Sequence, residues 1–358
     1  MSSERGGLPR EIAIVMMSAI GDAVHVLPVV NALKRARPDA RITWVIQPVP
    51  HRLVRDHPAV DDFLVFPRRA GRRAVGRFLR DLRSRRFDLV IDLQVYLKAG
   101  LVTALTRAPV KLGFDRRRAR DLNWLFTNRR IPPSPPRHVQ DQYFEFLRFL
   151  GVEPEPVEWG ITLTEEERRA QESFLARLDR PACGIVVGTS KPEKNWAPER
   201  YAQALDALDS EFGLVPVLLG GPGPVERRLA DAILARTRAP AVDALGDDLR
   251  RLVALLAGCR LAISPDTGPL HIARALEVPV IGLYGFTNPK RTGPYRKFTE
   301  LVVDGYARHP GEDYPCSMEY RKDGMERVTV DAVLEKVQLA VDTYVKSRPR
   351  DLPTYPIG

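Results

Sequence analysis

Four stretches of this chain place acidic, basic and hydroxyl side chains where an apolar run gives way to a helix-like pattern. Ser264-Pro265-Asp266-Thr267-Gly268-Pro269-Leu270-His271 follows the apolar run Leu261–Ile263, and Ile272, Ala275 and Leu276 then share one face. This reads as a strand, a tight turn and a helix N-terminus, where unpaired backbone N–H groups and the macrodipole favour an anion. It equally reads as an ordinary strand-to-helix turn with Asp266 or Thr267 as N-cap. In Gly188-Thr189-Ser190-Lys191-Pro192-Glu193-Lys194, hydroxyls and a lysine suit a phosphate, unless Lys194 is simply a surface lysine. The spacing is not that of a Walker A loop, which argues against nucleotide hydrolysis.

The remaining two stretches complete a chemical set. In Gly220-Gly221-Pro222-Gly223-Pro224-Val225-Glu226 the glycines admit a ligand against the backbone. Glu226, on the first helical turn, accepts ribose hydroxyls or is a solvated carboxylate. In the first half, Ser18-Ala19-Ile20-Gly21-Asp22 follows an apolar run and fails the G-x-G-x-x-G dinucleotide pattern. Asp22 is either an N-cap or a general base positioned to take a proton from an incoming hydroxyl. His25, one turn later, is a functional group or a helix-packing histidine. Together these residues suggest a nucleotide-diphosphate pocket in the second half, with Lys194 and the Thr267 and Gly268 amides on the phosphates. The matching chemistry is transfer of a group from an activated nucleotide to an acceptor hydroxyl. No metal cluster is visible, so the expectation is no metal and no cofactor, with positive charge supplied by lysine and helix dipole.

Such residues need elements to hold them at strand ends. Apolar runs at Ile12–Met17, Ile42–Ile46, Phe63–Phe66, Leu89–Asp92 and Val110–Gly113 alternate with helical patterns at Asp22–Ala36, Val75–Arg85 and Lys98–Leu105. Prolines 132, 133, 135 and 136 interrupt the alternation before a helix at His138–Leu150. It restarts after a helix at Thr164–Leu178, whose Thr164 and Glu167 form a capping box. Strands are then expected at Gly184–Val187, Val215–Leu219, Leu261–Ser264 and Val278–Leu283. Helices are expected at Pro198–Phe212, Val225–Arg236, Asp248–Leu256, Pro269–Leu276 and, as one long final helix, Asp331–Ser347. This is the pattern of an α/β protein with two doubly wound parallel sheets. Residues 1–160 form one domain and 161–330 another, with 331–358 a helix and tail packing back on the first.

Composition narrows the class. The 358 residues suffice for two domains, and 44% hydrophobic with 28% charged residues is ordinary for a globular protein. No apolar run reaches the length of a membrane span, and the first ten residues lack the apolar core of a signal peptide. Three widely spaced cysteines give no metal or redox pattern, so a reducing cytoplasm is the simplest setting. The net charge of +10 is concentrated: nine arginines lie between Arg68 and Arg86, and a second basic cluster covers Lys111 to Arg120. Aromatic residues are not interleaved with these arginines as single-strand nucleic-acid binding requires. A membrane surface or acidic acceptor therefore fits better than nucleic acid.

The stretches SAIGDAVHVLP (Ser18–Pro28), GTSKPEKNWAP (Gly188–Pro198) and DTGPLHIA (Asp266–Ala273), with Leu283-Tyr284-Gly285 and Thr287 following, resemble glycosyltransferase family 9. Those enzymes are ADP-heptose:lipopolysaccharide heptosyltransferases. Ile91-Asp92-Leu93-Gln94 with Lys98, and Leu112-Gly113-Phe114-Asp115, resemble the heptosyltransferase I branch. The resemblance implies a GT-B fold, with two Rossmann-like doubly wound domains facing a central cleft. It implies inverting, metal-independent transfer of heptose from ADP-heptose to a Kdo hydroxyl of Kdo-lipid A, at the inner face of the cytoplasmic membrane. By the same resemblance Asp22 is the catalytic base. Thr189, Ser190, Lys194, Glu226, Asp266, Thr267, Gly268 and His271 bind the donor, and Lys98, Arg118, Arg120 and His138 fall on the acceptor side. Addition of a later heptose or another sugar, or a nucleotide-sugar epimerase or hydrolase of the same architecture, are the competing readings. A non-catalytic binding module leaves the strand-end motifs unexplained.

Overall fold

The computed structural model describes residues 7–346. The chain forms two compact units: residues 7–135 with 139–161, and residues 136–138 with 162–346. Each carries one six-stranded, all-parallel sheet.

In the first unit the elements run β1 (Glu11–Val15), α1 (Ile20–Ala36), β2 (Arg41–Ile46), α2 (Pro48–Val54), β3 (Asp62–Val65), α3 (Gly71–Ser84), β4 (Leu89–Asp92), α4 (Leu97–Leu105), β5 (Val110–Gly113), β6 (Arg129–Arg130) and α5 (Val139–Phe149). The strand order is β3-β2-β1-β4-β5-β6. Central strands such as β1 and β4 are apolar and almost wholly buried, as parallel strands covered on both faces must be. Helices α1 and α5 pack against one another. On the α3 and α4 side, Phe78 and Leu82 of α3 and Ala99 and Val102 of α4 share one core cluster with Val15, Val45 and Val90. Burial of these apolar faces is what fixes the two helices on the sheet.

The second unit repeats the plan. Its elements are α6 (Glu165–Leu175), β7 (Ala182–Val186), α7 (Pro198–Ser210), β8 (Val215–Leu219), α8 (Pro224–Leu234), β9 (Val242–Asp243), α9 (Leu249–Gly258), β10 (Leu261–Pro265), α10 (Gly268–Ala275), β11 (Val280–Tyr284), α11 (Pro289–Thr292), β12 (Val302–Asp304) and α12 (Val330–Ala340). Read from the β9 edge, the order β9-β8-β7-β10-β11-β12 repeats that of the first sheet position for position. Thr164 and Glu167 form the expected reciprocal cap of α6: Glu167 N–H donates to Thr164 Oγ1 at 3.2 Å and Thr164 N–H to Glu167 Oε2 at 3.0 Å.

Five elements fall outside the expected pattern: α2, β6, β9, α11 and β12. The long final helix is also interrupted. Regular α-helix ends at Ala340, and the chain winds more widely over Val341–Val345, where Lys346 N–H donates to Val341 O at 3.0 Å. Helix α12 packs on α7, β11 and β12. The expected tail, residues 347–358, lies outside the described residues.

Candidate active site

In open parallel sheets ligands bind beyond the carboxyl ends of the strands, where the strand order reverses. In the second unit that point lies between β7 and β10, which pair directly through Ile263 and Ile185. The loops leaving these neighbours bring Lys194 and Asp266 together, although each lies in a separate motif. Lys194 Nζ donates to Asp266 Oδ2 at 2.8 Å and to Asp266 O at 3.0 Å. Thr287, just past β11, donates its hydroxyl to Asp266 Oδ2 at 2.6 Å, and His271 Nε2 lies 3.6 Å from Asp266 Oδ1. Burial alone would raise the Asp266 pKa, but His271 and the Lys194 ammonium outweigh it and hold the carboxyl well below the usual range. Asp266 is therefore an ionised organiser that fixes Lys194. An ammonium has three donors; Asp266 uses two, which leaves one for a ligand.

Helix α10 starts beside this pair. Thr267 is its N-cap residue but makes no side-chain cap hydrogen bond, and Pro269 occupies the first turn. The Gly268 amide thus opens a helix start that its own side chains do not cover, a position suited to an anionic oxygen.

Two glycine-rich loops shape the neighbouring wall. Gly188 adopts φ +79°, and a Cβ there would lie 2.7 Å from Glu226 Cγ and 3.2 Å from Glu226 Cα. Only glycine lets the loop after β7 pass this close to the first turn of α8. Glu226 is half-buried there, three residues after the extended Gly223. Thr189 is buried and its hydroxyl is used inside the loop, within reach of Lys191 O (2.6 Å) and Asn195 Oδ1 (3.0 Å). Ser190 is exposed.

The first unit presents the equivalent point between β1 and β4. Gln94, just past β4, clamps the loop after β1: Met17 N–H donates to its Oε1 at 3.0 Å and its Nε2 donates to Ser18 O at 2.7 Å. On the turn so fixed, Asp22 Oδ2 accepts the Ala19 N–H at 2.8 Å, and Tyr143 of α5 donates to Oδ1 at 3.4 Å. Asp22 is half-buried on the first turn of α1. His25 is buried at the contact between α1 and α5: its Nδ1 donates to Gln140 Oε1 at 2.9 Å, while Gln140 Nε2 donates to His25 O at 2.9 Å. This reciprocal pair is a packing arrangement.

The four residues expected on the acceptor side occupy different settings. Lys98 is exposed, its ammonium 4.1 Å from the centroid of Phe66, and burial together with the Arg68 charge lowers its pKa. Arg120 is exposed, and its backbone N–H donates to Val95 O at 2.7 Å. Arg118 has its guanidinium engaged by Asp115, by Glu145 at 2.6 Å and by Pro132 O at 2.9 Å. His138 belongs with the second unit, where its Nε2 donates to Gly293 O at 2.9 Å and its ring lies 4.9 Å from that of Tyr295.

Sequence reasoning gave no site role to Thr287, Lys191, Phe286 or Tyr320. Phe286 and Tyr320 stack at 4.6 Å, and Lys191 Nζ lies 4.2 Å from the Tyr320 centroid. Tyr320 lies in the segment 305–325 that carried no motif. Thr287 had a signal, its place after Leu283-Tyr284-Gly285. Among the described residues no group of three or more His, Cys, Asp or Glu could hold a metal ion, and no helix is long and apolar enough to cross a membrane.

Comparison with known proteins gives the family and the fold. Residues 75–321 match the model of "Glycosyltransferase family 9 (heptosyltransferase)". The chain is 28% identical over 341 residues to the lipopolysaccharide core heptosyltransferase OpsX of Haemophilus influenzae, covering 92% of this chain and 96% of that protein. It is 29% identical to lipopolysaccharide heptosyltransferase 1 of Pseudomonas aeruginosa, covering 86% and 85%. The crystal structure of a family 9 glycosyltransferase from Veillonella parvula superposes with a TM-score of 0.80 at 22% identity, covering 94% and 98% of the two chains. The E. coli heptosyltransferase WaaC with ADP does so at 0.70 and 24%, covering 94% and 99%. The fold is GT-B, and the chain belongs to glycosyltransferase family 9, the heptosyltransferases.

Proposed function

We propose that this enzyme builds the lipopolysaccharide inner core by moving heptose from ADP-heptose to a Kdo hydroxyl of Kdo-lipid A, with inversion and without a metal ion. The observation that carries the reading is the Lys194–Asp266–Thr287 network beside the uncapped start of α10. It supplies a fixed ammonium and a backbone amide, which is what a leaving diphosphate needs. Glu226 takes the ribose hydroxyls, with Thr189 and Ser190 shaping the loop below the phosphates and His271 near the sugar. On the acceptor side, Lys98 and Arg120 meet anionic groups, Arg118 braces their loop and His138 completes the set.

In the reaction, the acceptor oxygen forms a bond to C1 of the heptose as the bond from C1 to the phosphate oxygen breaks. The acceptor proton passes to Asp22, and ADP departs with its charge on Lys194 and the α10 start. Asp22 is a weak base, so it acts late in proton loss and by orienting the hydroxyl. Donor and acceptor meet at the inner face of the cytoplasmic membrane, and no nucleic acid takes part.

Relatives named heptosyltransferase 2 and 3 also match this chain, at 26% and 23% identity, which favours addition of a later heptose as the second reading. A mass-spectrometric transfer assay with ADP-heptose decides between them. Transfer to Kdo-lipid A supports the proposal; transfer only to an acceptor that already carries heptose supports the second reading. Rapid ADP release without acceptor would indicate a hydrolase.

A further inference from the structure

Leucines stand in water on the first unit. Tyr96, Leu97, Leu101, Leu122 and Leu125 are between 42% and 59% exposed, and they make up five of the eight large apolar side chains in that range among the described residues. They belong to one surface. Leu97 and Leu101 lie one turn apart on α4, and the turn Asn123–Phe126 packs directly on that helix. Gly100 of α4 has no room for a side chain because a Cβ would overlap the Phe126 ring.

The turn is firmly mounted. Asn123 is fully buried and donates to Asp92 Oδ2 at 3.1 Å and to Tyr96 O at 3.0 Å. Leu122 is held at φ +61°, a left-handed conformation that a leucine seldom adopts. A rigid mount that presents leucines outward, at a backbone cost, is unlike an ordinary soluble loop.

Charge surrounds this apolar ridge. Helix α3 lies beside α4 over the same sheet face and buries Phe78 and Leu82, so its arginines face outward. Arg72, Arg73, Arg77, Arg80 and Arg83 are exposed. Between Arg68 and Arg86, Arg85 is the one arginine paired with a carboxylate among the described residues, that of Asp62. On the other flank, Arg116 lies over the Trp124 ring at 4.5 Å. Apolar side chains bordered by unpaired cations match the boundary between acyl chains and anionic headgroups. Nucleic acid would meet the arginines but leave the leucines in water, and a second copy of this face would set arginine against arginine.

We infer that the α3–α4 surface is where the enzyme docks on an anionic bilayer, with Leu97, Leu101, Leu122 and Leu125 inserted and the α3 arginines on lipid phosphates. The inference rests on the reading that the acceptor is a membrane glycolipid, and it assigns that encounter to one face of one unit.

The test is flotation of the full chain with vesicles of phosphatidylglycerol and phosphatidylethanolamine, against vesicles of phosphatidylcholine. Binding is expected to the anionic vesicles, weakened by salt. Trp44, Trp159 and Trp196 are buried, so a blue shift on binding reports Trp124, which is half-buried on the inserted turn. The triple variant Arg72→Gln, Arg73→Gln, Arg77→Gln should lower partitioning by roughly 100-fold. The double variant Leu122→Ser, Leu125→Ser should lower it by roughly tenfold and abolish the blue shift. Both variants should keep the wild-type melting temperature and wild-type transfer to a water-soluble, deacylated acceptor. Equal binding to neutral vesicles, an unchanged blue shift in the leucine variant, or tighter binding to RNA than to anionic vesicles would each overturn the inference. A protein inactive on every acceptor that still binds anionic vesicles in this pattern would overturn the transfer reading and leave the docking face standing.

Discussion

Lys194 and Asp266 are 72 residues apart in sequence, yet the ammonium of one sits 2.8 Å from a carboxylate oxygen of the other. Both side chains are largely withdrawn from water, at 18% and 7% exposure. The lysine is thereby fixed in one position, which under the proposed function removes part of the ordering cost of binding a diphosphate.

Lys194→Met should weaken ADP binding by at least about tenfold in calorimetry and also destabilise the fold by roughly 3 kcal/mol, because Asp266 is left buried without its cation. Adding Asp266→Asn to that variant should restore most of the stability and none of the ADP affinity. Recovery of both together would mean that Lys194 serves the fold alone.

Gly188→Ala combines a left-handed φ with a Cβ 2.7 Å from Glu226 Cγ. The strained backbone costs about 1 kcal/mol or more, and the clash adds to it. Thermal denaturation should show the loss, and ADP affinity should fall because Glu226 is displaced. A variant with wild-type melting and affinity would show that the two loops move apart freely.

Two buried aspartates make opposite contributions to stability with pH. Asp92 is fully buried, which pushes its carboxyl up to about 7 against the hydrogen bonds from Asn123, Gln94 and Thr103. The native state holds its proton between about pH 4 and 7 while the unfolded chain does not, so stability falls as pH rises through that window. Asp266 has a depressed native pKa, so its contribution is complete above about pH 4 and is lost only as pH falls below the ordinary carboxylate range. Melting curves from pH 5 to 8 should therefore decline for the wild type, and the decline should shrink in Asp92→Asn. An equal slope in both proteins would assign the effect to other groups.

Asp22→Asn keeps the shape of the side chain but cannot take a proton. Turnover should drop by roughly 100-fold or more with ADP affinity nearly unchanged. Near-normal turnover would remove Asp22 from the chemistry.

The alternation of apolar runs and helical patterns was legible because the strands of a parallel sheet are covered on both faces, as β7 and β10 show. What escaped were elements without that signature. The α2 helix starts at Pro48 and holds Pro50 in its first turn, and its seven residues are too few to show a helical period; β6 is the pair Arg129–Arg130, two exposed charges held by the pairing of Leu112 with Arg129. At the site, Lys194 and Asp266 each stood out by residue type, but their contact follows from the adjacency of β7 and β10, which no local pattern encodes. Thr189 looked like a phosphate donor because a free hydroxyl and one stapling its own loop have the same sequence. Arg118 likewise carries Asp115 and Glu145 as partners, the latter 27 residues away.

The most direct test of the central claim is a crystal structure of this enzyme with ADP-heptose. The diphosphate oxygens should lie within hydrogen-bonding distance of Lys194 Nζ and the Gly268 N–H, with Glu226 on the ribose. A donor bound with its diphosphate away from Lys194 and the α10 start would contradict the account.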